Sequence, residues 1–226
     1  GDGYDSNRTF LTLQAKTGGV DRGALLELVG TGGGSPNYWL GGVKFYSTGN
    51  PKAHAAITSW TDSGGNNSGA LMFYTGTAAN SSDPIERLRI NSSGAITAPY
   101  QPAFRAYLST EWTTTGVPNS GWTEFFDRGN NFNQGTFTAP VAGVYKFGVL
   151  WDANASATSA SIRQNGSMVA AFEPSYADGW ESNQLHVLVN MAANDYVALN
   201  INTASGANPF HMGGGYWGYF YGYLVG

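Results

Sequence analysis

Residues 135–151 read "GTFTAPVAGVYKFGVLW", and two short alternating runs meet there at a corner. Phe137 marks the first run. In the second, from Val144 to Leu150, Tyr145, Phe147 and Val149 alternate with Val144, Lys146 and Gly148, the period of two that side chains take on a pleated strand. Between the runs Pro140 lacks an amide donor and Gly143 permits a sharp turn, so pairing stops and restarts there. The same pattern recurs along the chain. Asn165–Gly166, between "SIRQ" and "SMVA", is its strongest short hairpin signal. No sustained i, i+3, i+4, i+7 apolar pattern appears, so the chain is predicted to be all-β. Many short strands with frequent turn signals indicate a sandwich or jelly roll.

The composition narrows the function classes. Of 226 residues only 12% are charged and 14% are aromatic, with 32 glycines and no cysteine. Low charge with many aromatic residues argues against disorder, and the absence of cysteine excludes disulfides and thiolate metal sites. No run approaches the roughly 18 apolar residues of a membrane helix, so no membrane insertion is expected. The net charge is −4, and the whole acidic excess falls in residues 99–226. That balance disfavours nucleic acid as a partner, because a phosphate backbone needs a basic stripe.

The chain divides near "SSGAITAPYQPAF", where Pro99 and Pro102 mark a connector. Before it, within residues 1–98, short strands read as "TFLTLQAK", "ALLELVG", "WLGGVKFYS", "AAITSW", "ALMFYTG", "ERLRI" and "AIT". Each is too sparsely apolar to bury much alone, so this part is expected to wind with copies of itself. The chain ends in "GGGYWGYFYGYLVG". Read as a strand, Phe220, Gly222 and Leu224 share one face, and Tyr219, Tyr221, Tyr223 and Val225 share the other. Neither face is polar, so something must cover both.

Two resemblances extend this reading. "GALMFYTGTAANSSDPIERLRINSSGAIT" resembles the shaft-and-neck modules of bacteriophage tail fibres and related virion proteins, well over residues 69–98 and more loosely over 9–68. "WTEFFDRGNNFNQGTFTAPVAGVYKFGV" resembles complement-1q-type globular heads, jelly rolls of the tumour-necrosis-factor-like superfamily. The matching positions are Asp127, Phe132, Phe137, Pro140, Gly143, Tyr145 and Phe147. "PAFRAY", "SIRQNGSMV", "ANDYVALNI" and "FYGYLV" extend that likeness over nearly all of 102–226. The chain departs from the pattern in a shorter loop between Phe132 and Phe137, in Val149 where an aromatic is expected, and in Asn194 where a turn glycine is usual.

The resemblance implies an all-β homotrimer: a β-rich intertwined trimeric neck over 1–98, then a jelly-roll β-sandwich head over 99–226. In such heads the last strand lies centrally and three subunits pack around a threefold axis. Tyr219, Tyr221, Tyr223 and Val225 are then the candidate trimer-interface residues. The implied role is the distal receptor-binding part of a phage tail fibre, located on the virion. Its expected partners are further copies of itself, other virion tail proteins, and a host cell-surface glycan or other receptor. A surface polysaccharide-degrading tail enzyme, a purely structural trimerisation cap and a secreted bacterial adhesin are the alternatives.

The chemistry is that of a binder rather than an enzyme. "GTGGGS" after "LLELV" lacks the Lys-Ser/Thr of a phosphate loop, and Pro36 interrupts the place of its helix. No catalytic residue is assigned. Trp112 and Trp180 stand on connections, where binding residues concentrate. Asp178 and Glu181 lie three apart beside Tyr176 and Trp180 in a segment that reads as a loop. Trp112, Tyr176, Asp178, Trp180 and Glu181 are therefore the candidate ligand-binding residues, since a sugar ring can lie on an aromatic face while carboxylates accept its hydroxyl hydrogens. An acid pair could also cleave a glycan. Of His54, His186 and His211, the last precedes the aromatic tail and is a candidate for an ion-binding cluster at the threefold axis. No cofactor is expected; some heads of this family bind calcium through oxygen ligands, but no motif here marks a calcium or other metal site.

Overall fold

The computed structural model describes residues 39–47, 50–61, 68–76, 83–154, 158–172, 180–204 and 210–226. The chain separates into two units, Gly1–Ala98 and Pro99–Gly226.

In the first unit the alternating runs form an antiparallel meander. Its strands are β1 (Trp39–Ser47), β2 (Asn50–Thr61), β3 (Gly69–Thr75), β4 (Ile85–Ile90) and β5 (Ile96–Thr97), paired in sequence order. The "VKFYS" and "LMFYT" runs flank β2 on either side, with Val43 and Phe73 both opposite Ile57. Ala56, Thr58, Ala70 and Met72 are buried on one face. Val43, Phe45, Ile57 and Leu71 are exposed on the other. A meander with a bare apolar face is incomplete as a folding unit, since an antiparallel sheet normally turns polar residues to water. The expected strands "TFLTLQAK" and "ALLELVG" lie outside the described residues.

In the second unit ten strands build two five-stranded antiparallel sheets. They are β6 (Ala103–Leu108), β7 (Trp122–Arg128), β8 (Phe132–Asn133), β9 (Thr136–Thr138), β10 (Gly143–Asn154), β11 (Ser159–Gln164), β12 (Ser167–Phe172), β13 (Trp180–Met191), β14 (Tyr196–Thr203) and β15 (Tyr219–Leu224). One sheet runs β13-β10-β15-β6-β7 and the other β12-β11-β14-β9-β8. Consecutive hairpins such as β6–β7 and β11–β12 are joined by pairs remote in sequence, such as β15 with β6 and β14 with β9, the jelly-roll arrangement expected from the turn signals. The last strand is central, hydrogen-bonded to β10 on one side and β6 on the other.

The core between the sheets is aromatic. Phe104 stacks on Phe132 at 4.5 Å and on Phe137 at 5.3 Å, and meets Phe220 edge-on at 5.1 Å. Tyr145, Phe147, Val149 and Trp151, the inward set of β10, are all fully buried. Each such side chain contributes roughly 1.5–3 kcal/mol through burial. The corner at Pro140–Gly143 forms as expected, and the Tyr145 hydroxyl donates to the Val141 carbonyl at 2.8 Å, tying that corner down. Asp127 accepts the Phe132 amide at 2.8 Å, which sets the entry to β8.

The turns follow the side-chain chemistry. Asn165 (φ 50°) and Gly166 (φ 84°) make the β11–β12 hairpin with two positive φ angles, as a two-residue hairpin loop demands. Asn194 takes φ 71° in the β13–β14 turn, so the residue standing where the family pattern has glycine adopts the conformation glycine would supply. Asn tolerates that region better than most residues. One expectation fails. The segment around Trp180 and Glu181 was read as a loop, but both residues open β13 and pair with Asn154 and Ala153 of β10. Interleaved polar residues hid a strand that is twelve residues long. The exposed face of the strand takes Ser182 and Gln184, and Glu181, on the opposite side, is exposed at the strand's start.

Candidate functional site

The two faces of β15 divide as the alternation requires. Phe220 and Gly222 are buried in the core, and Leu224 packs at its margin. Tyr219, Tyr221 and Tyr223 project from the outer face of the sheet, while Val225 lies just past the strand end and is exposed.

Glycines explain the spacing of those rings. Across the β10–β15 pair, Phe147 stands opposite Gly222 and Tyr221 stands opposite Gly148. A Cβ at Gly222 would lie 2.5 Å from Phe147 Cδ1 and 2.8 Å from Phe104 Cε1. A Cβ at Gly148 would lie 2.5 Å from Tyr221 Cε1, and it would also strike the His186 ring. Each strand thus offers a bare backbone seat for its partner's ring, Phe147 on the inside and Tyr221 on the outside. Cross-strand packing of this kind is a principal source of sheet stability.

The outer face around Tyr221 is a continuous aromatic surface. Tyr219 and Tyr221 lie 5.9 Å apart, and Tyr221 stacks on Tyr223 at 6.4 Å. On β13, His186 Nδ1 lies 3.3 Å from the Tyr221 hydroxyl, and Leu188 is 64% exposed. On β6, the Arg105 guanidinium is held between two rings, 4.0 Å from Tyr219 and 4.3 Å from Phe125. Phe125 and Phe126 of β7 extend the apolar surface outward, both about half exposed. A shallow groove of about 460 Å³ runs between Arg105, Phe126, Leu150, His186 and the three tyrosines. Partial burial raises the Tyr221 hydroxyl above its ordinary value of 10.0, and the neighbouring Tyr223 and Tyr219 add to the rise. An exposed apolar patch of this size on a folded domain marks an interaction surface.

Sequence reading reached the tyrosines of this face but not Arg105, Phe125, Phe126, His186 or Leu188. Tyr107 and Arg105 alternate within "AFRAYL", a usable signal. A register shift between Arg105 and Ala106 in the β6–β7 pair concealed the facing of Phe125 and Phe126.

Of the candidate ligand residues, Trp112 and Glu181 have described side chains. Trp112 is half-buried, bridges in antiparallel fashion to Phe210 and packs against the head core. Glu181 is exposed on β13. Tyr176 and Asp178 lie outside the described residues, as does the side chain of Trp180. Among the described residues, no group of three or more His, Asp or Glu is placed to hold a metal ion. No helix among them is long and apolar enough to cross a membrane.

Two five-stranded antiparallel sheets with a central final strand define a jelly-roll head. Residues 103–225 match the family model of the C1q domain; the match spans more than half of the chain, which therefore belongs to the C1q domain family. The fold is similar to solved structures at low identity. The globular domain of zebrafish complement 1qA protein is 19% identical, covering 56% of this chain and 98% of its own, with a TM-score of 0.43. Murine APRIL is 10% identical, covering 55% and 99%, with a TM-score of 0.45. Eiger TNF from S. frugiperda is 12% identical, covering 56% and 93%, with a TM-score of 0.44. None of the curated proteins matches the chain. None of these likenesses points to a phage origin.

Proposed function

We propose that this protein is a homotrimeric, non-enzymatic recognition head. Three copies close around an axis through the outer face of the β13-β10-β15-β6-β7 sheet. The observation that carries this reading is the aromatic face itself: Tyr219, Tyr221, Tyr223, Phe125, Phe126 and Leu188 share one surface of the sheet. C1q-type domains are commonly trimeric and act by binding, which supports the same conclusion. Threefold repetition turns weak single contacts into avidity.

The proposed setting is the distal end of a phage tail fibre or similar virion appendage, recognising a host cell-surface glycan. It is supported by the resemblance of residues 69–98 to fibre neck modules and by the bare apolar face of the first sheet. Light scattering on the purified protein should return three times the 23.9 kDa chain mass; a monomer at micromolar concentration defeats the trimer. The labelled trimer should bind saturably to susceptible bacteria and lose that binding after periodate oxidation of surface glycans. Absence of binding across a broad bacterial panel replaces receptor recognition with a purely structural cap.

A further inference from the structure

The outer face of the head changes character at one row. Along β10 the outward residues are Lys146, Gly148 and Leu150, set among the tyrosines, and the next is Asp152. Asp152 lies between Ser182 of β13 and His211, paired with both. Its backbone exchanges two hydrogen bonds with His211, at 2.8 and 3.1 Å. Its carboxylate accepts the Ser182 hydroxyl at 2.6 Å. Aromatic cover therefore ends at Leu150–Tyr219, and a polar row begins. Within the head this row lies at the end of the sheet opposite Pro102 and Gly226, because the far end of β15 is where Leu224 meets Pro102 and Gly226 meets Val144.

A cavity of about 390 Å³ opens at this pole, lined by Glu111, Asp152, His211 and Trp217, a size within the roughly 300–1,000 Å³ of small-molecule sites. The Trp217 indole is 63% exposed, and its ring lies 6.2 Å from the His211 ring. The cavity therefore combines one exposed aromatic face, on which an apolar ligand face can lie, with two carboxylates that can accept hydroxyl hydrogens. From these observations we infer that this cavity is a binding site for a neutral pyranose. The C–H face of the sugar lies on Trp217, and its hydroxyls donate to Asp152 and Glu111. Among the described residues the lining has two carboxylates and no lysine or arginine, so uronates and other acidic sugars are disfavoured there. The inference deepens the reading of the head as a glycan-recognising module. It adds to the candidate segment around Tyr176–Glu181 a pocket that the sequence did not reveal.

Ligand-observed saturation-transfer NMR on the full-length protein tests it. The probes are the methyl glycosides of glucose, galactose and mannose, with methyl glucuronide as the charged comparison. At least one neutral glycoside should receive saturation on its ring C–H protons, and the glucuronide should not. Trp217→Ala should abolish the signal. Asp152→Ala should weaken binding about tenfold or more, the loss expected when a hydrogen bond to a charged acceptor is removed. Both variants alter exposed or rim side chains, and unchanged melting curves verify their folding. No transfer to any neutral glycoside, equal transfer to the glucuronide, or transfer that survives Trp217→Ala overturns the site. Binding to bacterial cells separates the two claims. Cell binding undiminished in Trp217→Ala refutes this pocket and leaves receptor recognition standing, whereas Trp217-dependent sugar binding without cell binding refutes receptor recognition alone.

Discussion

Replacing Gly222 by alanine adds one methyl group at the most crowded point of the head. That carbon would lie 2.5 and 2.6 Å from two atoms of the Phe147 ring and 2.8 Å from the Phe104 ring. Both rings are fully buried and locked by further stacking on Phe132, Phe137 and Tyr145, so neither can swing aside. Overpacking of this kind costs about 1–3 kcal/mol. Gly222 does not use a left-handed backbone angle, so alanine regains about 0.5–1 kcal/mol by restricting the unfolded chain. Three contacts under 3 Å with buried rings put the cost in the upper part of that range, about 2–3 kcal/mol, so a net loss of about 1–2.5 kcal/mol remains, which lowers the melting temperature of a head of this length by about 3–12 °C. The assay is thermal unfolding followed by near-ultraviolet circular dichroism, at one fixed protein concentration because assembly shifts apparent stability. Gly148→Ala is the matched comparison on the other side of the same strand pair. There the crowded atoms belong to Tyr221, which is half-buried, and His186, which is exposed, and both can rotate outward. Its melting temperature should change little, but the displaced Tyr221 should weaken assembly in light scattering. A Gly222→Ala head that melts with or above the wild type would refute the proposed packing of aromatic rings on glycine.

Other outcomes follow from single side chains. Tyr221→Glu should convert the trimer to monomer without unfolding the head, read by light scattering beside circular dichroism, since it places a charge amid the tyrosines. Tyr221→Phe should remove a phenol that ionises above the ordinary range from a spectrophotometric titration. Its native pKa is raised, so its stabilising effect is full below the ordinary value of 10.0 and is lost as pH climbs through the raised one; the wild type should therefore lose stability in alkali more steeply than the variant. Asp195 has the opposite sign. The Asn165 amide, the Ala192 backbone amide and the Gln164 amide donate to its carboxylate and hold it below its ordinary value of 3.8. Its contribution is thus present above that value and lost as pH falls through the lowered one, so the melting-temperature gap between wild type and Asp195→Ala should close in acid. Asn194→Gly should be neutral or stabilise by less than about 1 kcal/mol in urea unfolding, because the position already takes a left-handed angle.

Much of the head was legible because its signals are local. The alternation in "GVYKFGVLW", the Pro140–Gly143 corner and the Asn165–Gly166 hairpin each depend on residues within a few positions, and each appears in the structure where the sequence placed it. The division of β15 into a buried Phe220 face and a tyrosine face follows from period two alone. Trp180 and Glu181 were misread for the same local reason: polar residues in succession look like a loop unless the partner strand is known. Pairing with the end of β10 makes them a strand.

The sequence by itself determined the strands, the corner and the two-faced tail, because each is set by alternation and turn chemistry within a short stretch. Only the tertiary structure decided that Tyr221 sits on Gly148, that Arg105 lies between Tyr219 and Phe125, and that Glu111, Asp152, His211 and Trp217 border one cavity. Those groups come from strands and connections as much as 114 positions apart in the chain. Antiparallel pairing joins residues across that distance, and the register, which no local pattern encodes, selects which side chains share a face.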